Sequence, residues 1–222
     1  MTLTISKSQY LRGCQCPLAL WYYRFRKDLM PDVPDKYVFK IGHAVGELAK
    51  TYFDNGIEIT EDFTQIPESI VSTNKVIKDG AEVIYEATAA AQNGVYSRID
   101  ILKKVDGTKD TWDLIEVKAS TQVKDYHYND AALQRYAFLG AGYKIRKSML
   151  MHLNKEYIKH GHIDVKGIFV LEDITDDVIA MQDETEQKIE ELLGVLKTKK
   201  ALVIKIGDHC NNPFACDFYE HC

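Results

Sequence analysis

The sequence predicts an α/β fold, a single domain with a strand hairpin at its centre, and three observations carry that expectation. Apolar residues recur at helical spacing in segments near both ends of the chain, and strand-like segments in the middle meet across the turn-rich stretch DGTKD. No internal repeat, low-complexity tract or Pro/Gly/Ser linker divides the 222 residues, so residues 1–222 read as one domain. In chain order, Ser8 is expected to cap a helix through QYLRGCQCPLALWYYRF, with Pro17 marking a break or a new first turn. KYVFKIGHAVGELAKTYF places apolar residues at 38, 41, 45, 48, 49 and 52, a helical stripe that Gly56 is expected to stop. ESIVSTNKVIKDGAEVIYEATAAA reads as a helix followed by a strand, and GVYSRIDILKKV and TWDLIEVKAST as a hairpin. A helix follows in YNDAALQRYAFLGAGY, then a strand pair around KSMLMHLN and GIFVLED. A long acidic helix from about Thr175 to Lys200 completes the series, its acids on a solvated face.

With 45% of residues in the hydrophobic set, the chain has material for a sizeable core. No apolar run approaches the ~18 residues of a membrane span, and MTLTISKSQYLRG has no signal-peptide pattern, so a cytoplasmic protein is expected. That address disfavours structural disulfides and makes metal or cluster ligation the better account of grouped thiols. The five cysteines are Cys14 and Cys16 near one end and Cys210, Cys216 and Cys222 near the other. A net charge of −5 excludes a generic polyanion-coating protein, yet YYRFRK, YKIRK and LKTKK leave room for a local nucleic-acid groove.

The hairpin carries the chemistry. If its loop is symmetric about Thr108, paired residue numbers sum to 216, and Asp100 lies opposite Glu116. Lys118 shares the Glu116 face, and Val117 points the other way, into the core. Adjacent carboxylates repel unless a positive charge lies between them, and hard divalent cations take oxygen ligands. Asp100 and Glu116 therefore suggest bound Mg²⁺ or Mn²⁺ with Lys118 beside it, parts that suit phosphodiester hydrolysis. The plain alternative is a solvated strand face. Ile99, Ile101, Leu114, Ile115 and Val117 weigh against it, because strands this apolar are buried and buried carboxylates need a partner.

Asp100 followed by EVK on the next strand resembles the PD-(D/E)XK nuclease superfamily, and the resemblance implies a restriction-endonuclease-like core, a central mixed sheet flanked by helices. The cysteines are similar to those of its iron–sulfur branch, the CRISPR-adaptation exonucleases and the nuclease modules of RecB/AddB-type recombination proteins. There a [4Fe–4S] cluster ties one N-terminal cysteine to three near the C-terminus. The resemblance implies Cys16, Cys210, Cys216 and Cys222 as ligands and Cys14 as the spare, with residues 1–30 and 201–222 forming the cluster-binding part. By spacing alone, the two five-residue gaps between the late cysteines fit a cluster, zinc or unligated core thiols. The family's G-x-x-x-H helix appears here as Gly42 followed by Gly46. His43, three residues before Gly46, is the remaining histidine that can reach the metal, or a surface residue. The family's Q-x-x-x-Y appears as Gln134 with Phe138 in the tyrosine place and Tyr136 between them; Gln134 is implied at the metal water or the DNA backbone. Tyr136 reads equally as a substrate contact and as helix core.

Lys124 and His127 in KDYHYND are candidates for the substrate groove beside the plain reading of a polar loop. Glu86 can approach from the preceding strand but is better read as structural. LWYYRF can stack single-stranded bases, with Arg24 and Arg26 on phosphates, or form a buried helix face, the favoured reading. The resemblance implies a metal-dependent DNA nuclease, an exonuclease on single-stranded ends in CRISPR adaptation, defence or repair. Its partners would be single-stranded DNA and CRISPR-adaptation or recombination proteins, with no membrane. A restriction-type endonuclease and a catalytically inactive iron–sulfur nucleic-acid-binding module remain open, the second because Gly46 replaces the family histidine. An electron carrier has no use for the paired carboxylates.

Overall fold

The computed structural model describes residues 3–31 and 36–222, so residues 1 and 2 of the expected cluster-binding part, and the side chain at 38, lie outside the description. The elements run α1 (Lys7–Gln15), α2 (Pro17–Phe25), α3 (Lys36–Lys50), β1 (Ile57–Glu58), α4 (Ile66–Lys78), β2 (Val83–Ala90), β3 (Tyr96–Lys104) and β4 (Thr111–Lys118). They continue with α5 (Asp125–Gly140), β5 (Lys144–Leu153), α6 (Val165–Ile168), β6 (Phe169–Asp173), α7 (Thr175–Ala180) and α8 (Gln182–Lys197). The strands form one six-stranded mixed sheet in chain order. β2, β3 and β4 are mutually antiparallel, β1 joins β2 and β5 joins β4 in parallel, and β6 closes the edge antiparallel to β5. A parallel neighbour needs a crossover, and α5 supplies it between β4 and β5.

Helices cover both sheet faces. α4 and α5 pack on one through Ile84, Leu102, Leu114 and the fully buried Phe138. On the other, Val45 and Ala49 of α3 meet Tyr85, Ile101 and Ile115. α1 and α8 lie outside α5, where Tyr10, Leu133, Ala137, Ile189 and Leu192 form a further apolar layer. No helix among the described residues is long and apolar enough to cross a membrane.

Local chemistry moves several expected boundaries. The first helix is capped by Ser6, not Ser8: Ser6 Oγ accepts the Gln9 amide at 3.3 Å while Gln9 Oε1 accepts the Ser6 amide at 3.0 Å. It stops at Cys16, and Pro17 opens α2, where its missing N–H costs nothing. α3 ends at Lys50, before Gly56, and Ile41 of its expected buried stripe is 40% exposed. The acidic helix is two, α7 and α8, broken at Met181 and ending at Lys197. Within LWYYRF only Leu20 is buried; Trp21, Tyr22 and Tyr23 are half-buried, Tyr22 stacking on Phe218 with centroids 5.4 Å apart, and Arg24 and Phe25 are exposed.

Ile5, outside the strands, is pinned by a single bridge to Val95 just before β3. Its amide donates to the Gly94 carbonyl at 3.2 Å, and the Tyr96 amide donates to the Ile5 carbonyl at 3.0 Å. Gly94 has φ +88°, and a Cβ there would stand 2.2 Å from the Leu3 carbonyl oxygen, so both backbone conformation and close approach require glycine. Gly94→Ala is expected to lower stability by about 1–3 kcal/mol. Urea unfolding measures it, and a loss within about 0.5 kcal/mol, the range of ordinary surface changes, would contradict it.

Candidate active site

The β3–β4 register follows the expected sum: Ile101 pairs with Ile115, Leu102 with Leu114, Lys103 with Asp113 and Lys104 with Trp112. The ladder ends at Ile101–Ile115; Asp100 and Glu116 are the next residue on each strand, and Asp100 Oδ2 accepts the Val117 amide at 2.6 Å. On the other side of β3, the pairs Tyr85–Ile101 and Ala87–Ile99 bracket Glu86 opposite Asp100. Glu86 takes φ +59°, a left-handed conformation costly for a residue with a Cβ. Beyond it the alternation slips: Ile84 and Ala87, three apart, line the same apolar cluster, as do Ile99 and Leu102. The sheet is thus irregular where its carboxylates meet.

Glu116, only 3% exposed, has both oxygens engaged. Oε1 accepts from Lys118 Nζ and from Lys7 Nζ, each at 2.7 Å, and Oε2 accepts from Gln134 Nε2 at 2.5 Å. Lys118 also donates to Asp130 Oδ2, and Lys7 lies 3.6 Å from Asp130 Oδ1. Asp130 and Gln134 stand one turn apart on α5, both buried, so one helix face presents both groups to β4. Charge balance orders the protonation. Burial pushes Asp100 well above the usual carboxylate range, and neighbouring Glu116 adds to it. Burial also opposes ionisation of Glu116, but Lys118 and Lys7 outweigh it and hold Glu116 far below that range. Both ammonium groups are held up against burial, Lys118 by Glu116 and Asp130, Lys7 by Asp130 and Glu116. Asp130 is raised by burial.

Of the residues the sequence singles out, Asp100, Glu116, Lys118 and Gln134 come together. His43 does not join them: it is exposed on α3, and no hydrogen bond or ion pair among the described residues links it to Asp100 or Glu116. Lys124 is exposed, its Nζ 5.8 Å from the Tyr126 ring centre. Tyr136 is half-buried beside the α1–α8 layer, its hydroxyl accepting from Asn93 at 2.9 Å. Arg24 is exposed on α2, and Arg26 is paired with Asp28. Sequence reasoning missed Lys7 and Asp130. The i, i+4 spacing of Asp130 and Gln134 is a usable signal for the second; Lys7 reaches the site by tertiary packing alone.

The thiols divide as the sequence grouped them. Cys16, Cys210, Cys216 and Cys222 line one small pocket together with His209 and Phe218. Cys14 instead packs beside the α1–α8 layer, its thiol pushed up to about 11 by burial. All five are free, and among the described residues no group of three His, Cys, Asp or Glu side chains is disposed to hold a metal ion.

No family model and no curated protein matches the chain. Among solved structures, SSO0001 is similar at 15% identity over 99% of this chain and 85% of its own, with a TM-score of 0.43. The alkaline exonuclease LHK-Exo from Laribacter hongkongensis is 12% identical over 87% of this chain and 88% of its own, with a TM-score of 0.49. Its complex with dAMP gives 0.50 at the same identity and coverage. The chain shares the fold of LHK-Exo. At 12% identity the likeness to LHK-Exo is one of architecture, a mixed sheet between helices, and the chemistry is argued from this chain's own residues.

His127, at the first turn of α5, gives a pH test. Its Nδ1 accepts the Lys124 amide at 3.2 Å, and burial, then the Lys118 and Lys124 charges, push it from 6.5 to about 4. A histidine whose folded pKa lies below its unfolded one binds fewer protons when folded, so its contribution is full above pH 6.5 and is lost as pH falls from 6.5 towards 4. The raised Asp100 and Asp130 act oppositely, gaining stability as pH falls, so the wild-type curve alone is ambiguous. The difference between wild type and His127→Gln is expected to shrink across that window in urea unfolding; a pH-independent difference would refute the assignment.

Proposed function

We propose that this protein is a metal-dependent deoxyribonuclease, an exonuclease acting on single-stranded ends, with Asp100, Glu116, Lys118 and Gln134 as its reacting constellation. The observation that carries the reading is Glu116, a buried carboxylate held ionised by two lysines and an amide, next to Asp100 on a paired strand. An ion-paired core residue needs no second carboxylate beside it, whereas a divalent cation needs hard oxygens in this arrangement. The fold supports it: LHK-Exo is an alkaline exonuclease and binds dAMP.

The donor set fits the ion, since Asp100 and Glu116 offer carboxylate oxygens at one strand pair. They would hold Mg²⁺ or Mn²⁺, which when bound polarises a phosphoryl oxygen and supplies hydroxide near neutral pH. Lys118, charged and anchored by Glu116 and Asp130, offsets the negative charge that develops at phosphorus. Gln134 fixes the Glu116 carboxylate through Oε2. A cleft between α1, the start of α5 and the C-terminal segment is walled by Arg12, Gln15, Tyr126 and Phe214 together with Asp125, Asp208 and Asp217, and the carboxylate cluster does not line it. Four thiols from opposite ends of the chain line one pocket, and thiolates are the donors that iron–sulfur clusters and zinc take; we favour the [4Fe–4S] cluster of the family the sequence resembles. A cytoplasmic protein serving CRISPR adaptation, defence or DNA repair accords with this reading.

Cleavage of end-labelled single-stranded DNA with Mn²⁺ tests it. Lys118→Ala is expected to lose at least about 100-fold in rate at unchanged DNA affinity. DNA binding with no cleavage in the wild type would make the protein a binding module. Separately, anaerobically purified wild type and Cys14→Ala are expected to carry about four irons per chain, and Cys216→Ala none. Zinc, or no metal, in the wild type would remove the iron–sulfur part of the reading.

A further inference from the structure

Glu116 Oε1 already accepts two ammonium groups, Lys118 and Lys7, each at 2.7 Å. A carboxylate oxygen has two lone-pair sites, so Oε1 is full, and Oε2 holds the Gln134 amide. Oε2 keeps one free lone-pair site, and a divalent ion bound there would put a third cation against one carboxylate, so charge repulsion favours the departure of the less firmly held ammonium. The two lysines are not equally held. Lys118 leaves central strand β4, is 18% exposed, and is clasped between Glu116 and Asp130 Oδ2. Lys7 is 29% exposed and makes one short contact. Its second neighbour, Asp130 Oδ1, is 3.6 Å away, and that oxygen is buried with no hydrogen-bond partner. Buried carboxylate oxygens are rarely left so. A shift of about 1 Å at Nζ would bring Lys7 within the range of a charge-assisted hydrogen bond to it. The backbone need not follow, because the Ser6 cap and the Ile5 bridge fix the start of α1.

Resting on the nuclease reading of this site, we propose that Lys7 is an internal cation that competes with a divalent metal ion for Glu116 and passes to Asp130 Oδ1 when the ion binds. It keeps the buried carboxylates balanced, sets how tightly the ion is held, and has a waiting acceptor on release. Lys7 is thus a positioning residue for the metal site, contributed by a helix remote in sequence from the Asp100–Glu116 hairpin.

Titration calorimetry with Mn²⁺ alone, in the absence of DNA, tests it on wild type, Lys7→Met and Lys7→Arg. Loss of the competing charge is expected to tighten Mn²⁺ binding about tenfold in Lys7→Met, with Lys7→Arg no tighter than wild type. A merely structural lysine would weaken binding or leave it unchanged when removed, and either result in a folded Lys7→Met protein overturns the proposal. If Lys7→Met fails to fold by circular dichroism, Lys7→Gln is compared with Lys7→Arg, and equal affinities overturn it. Wild type that binds Mn²⁺ but cleaves no DNA defeats the nuclease reading, while the affinity comparison still decides the role of Lys7. Failure of every variant to bind Mn²⁺ overturns both.

Discussion

The ionised Glu116 carboxylate is the constraint on which the site's architecture depends. A buried charge without partners would protonate or destabilise the fold by several kcal/mol. Here each partner comes from a different element: Lys7 from α1, Lys118 from β4 and Gln134 from α5. Satisfying one side chain therefore fixes the docking of α1 and α5 against the central sheet. The carboxylate also explains why Lys118 and Lys7 stay charged despite burial, since each ammonium is raised by the acids it serves.

Asp100 stands in the opposite condition. Among the described residues its one hydrogen-bond donor is the Val117 amide, and burial and then Glu116 push it towards its neutral form against the opposing charge of Lys7. Two carboxylates at one strand pair, one held ionised and the other driven to protonate, form an electrostatically unfinished arrangement. Glu86, strained in its backbone and raised by burial, adds to the excess of acid at the same step of the sheet. Strain and unbalanced charge at one place accord with the cation site proposed there.

What was legible in the sequence follows from range. The period-two strands and the symmetric DGTKD loop specify their pairing locally, so the register that sets Asp100 against Glu116 is readable from residue numbers. Gln134 was readable only through resemblance, and Asp130 one turn before it passed unmarked because an acid in a helix usually faces water. Lys7 leaves no local signal at all: its place depends on the Ser6–Gln9 capping box and on the bridge from Ile5 to Val95, the second being a contact ninety residues away. Ser6 and Gln9 match the spacing of a capping box, a reciprocal pair that Ser8 cannot make because Leu11 stands three residues after it.

α1 joins the two chemical regions of the molecule. It is nine residues, about 14 Å, long, with Lys7 in the carboxylate cluster at its first position and Cys16 in the thiol pocket just past its last. Its outer side clasps the C-terminal segment: Arg12 pairs with Asp217 at 2.7 Å, and Gln15 donates to the carbonyls of His209 and Phe214 at 2.9 and 2.6 Å. The late cysteines are therefore carried by a segment with little regular structure that is ordered against this helix, and the helix in turn is positioned by Glu116 at its other end. The thiol pocket and the carboxylate cluster, remote in sequence and chemically unlike, thus share one mechanical support.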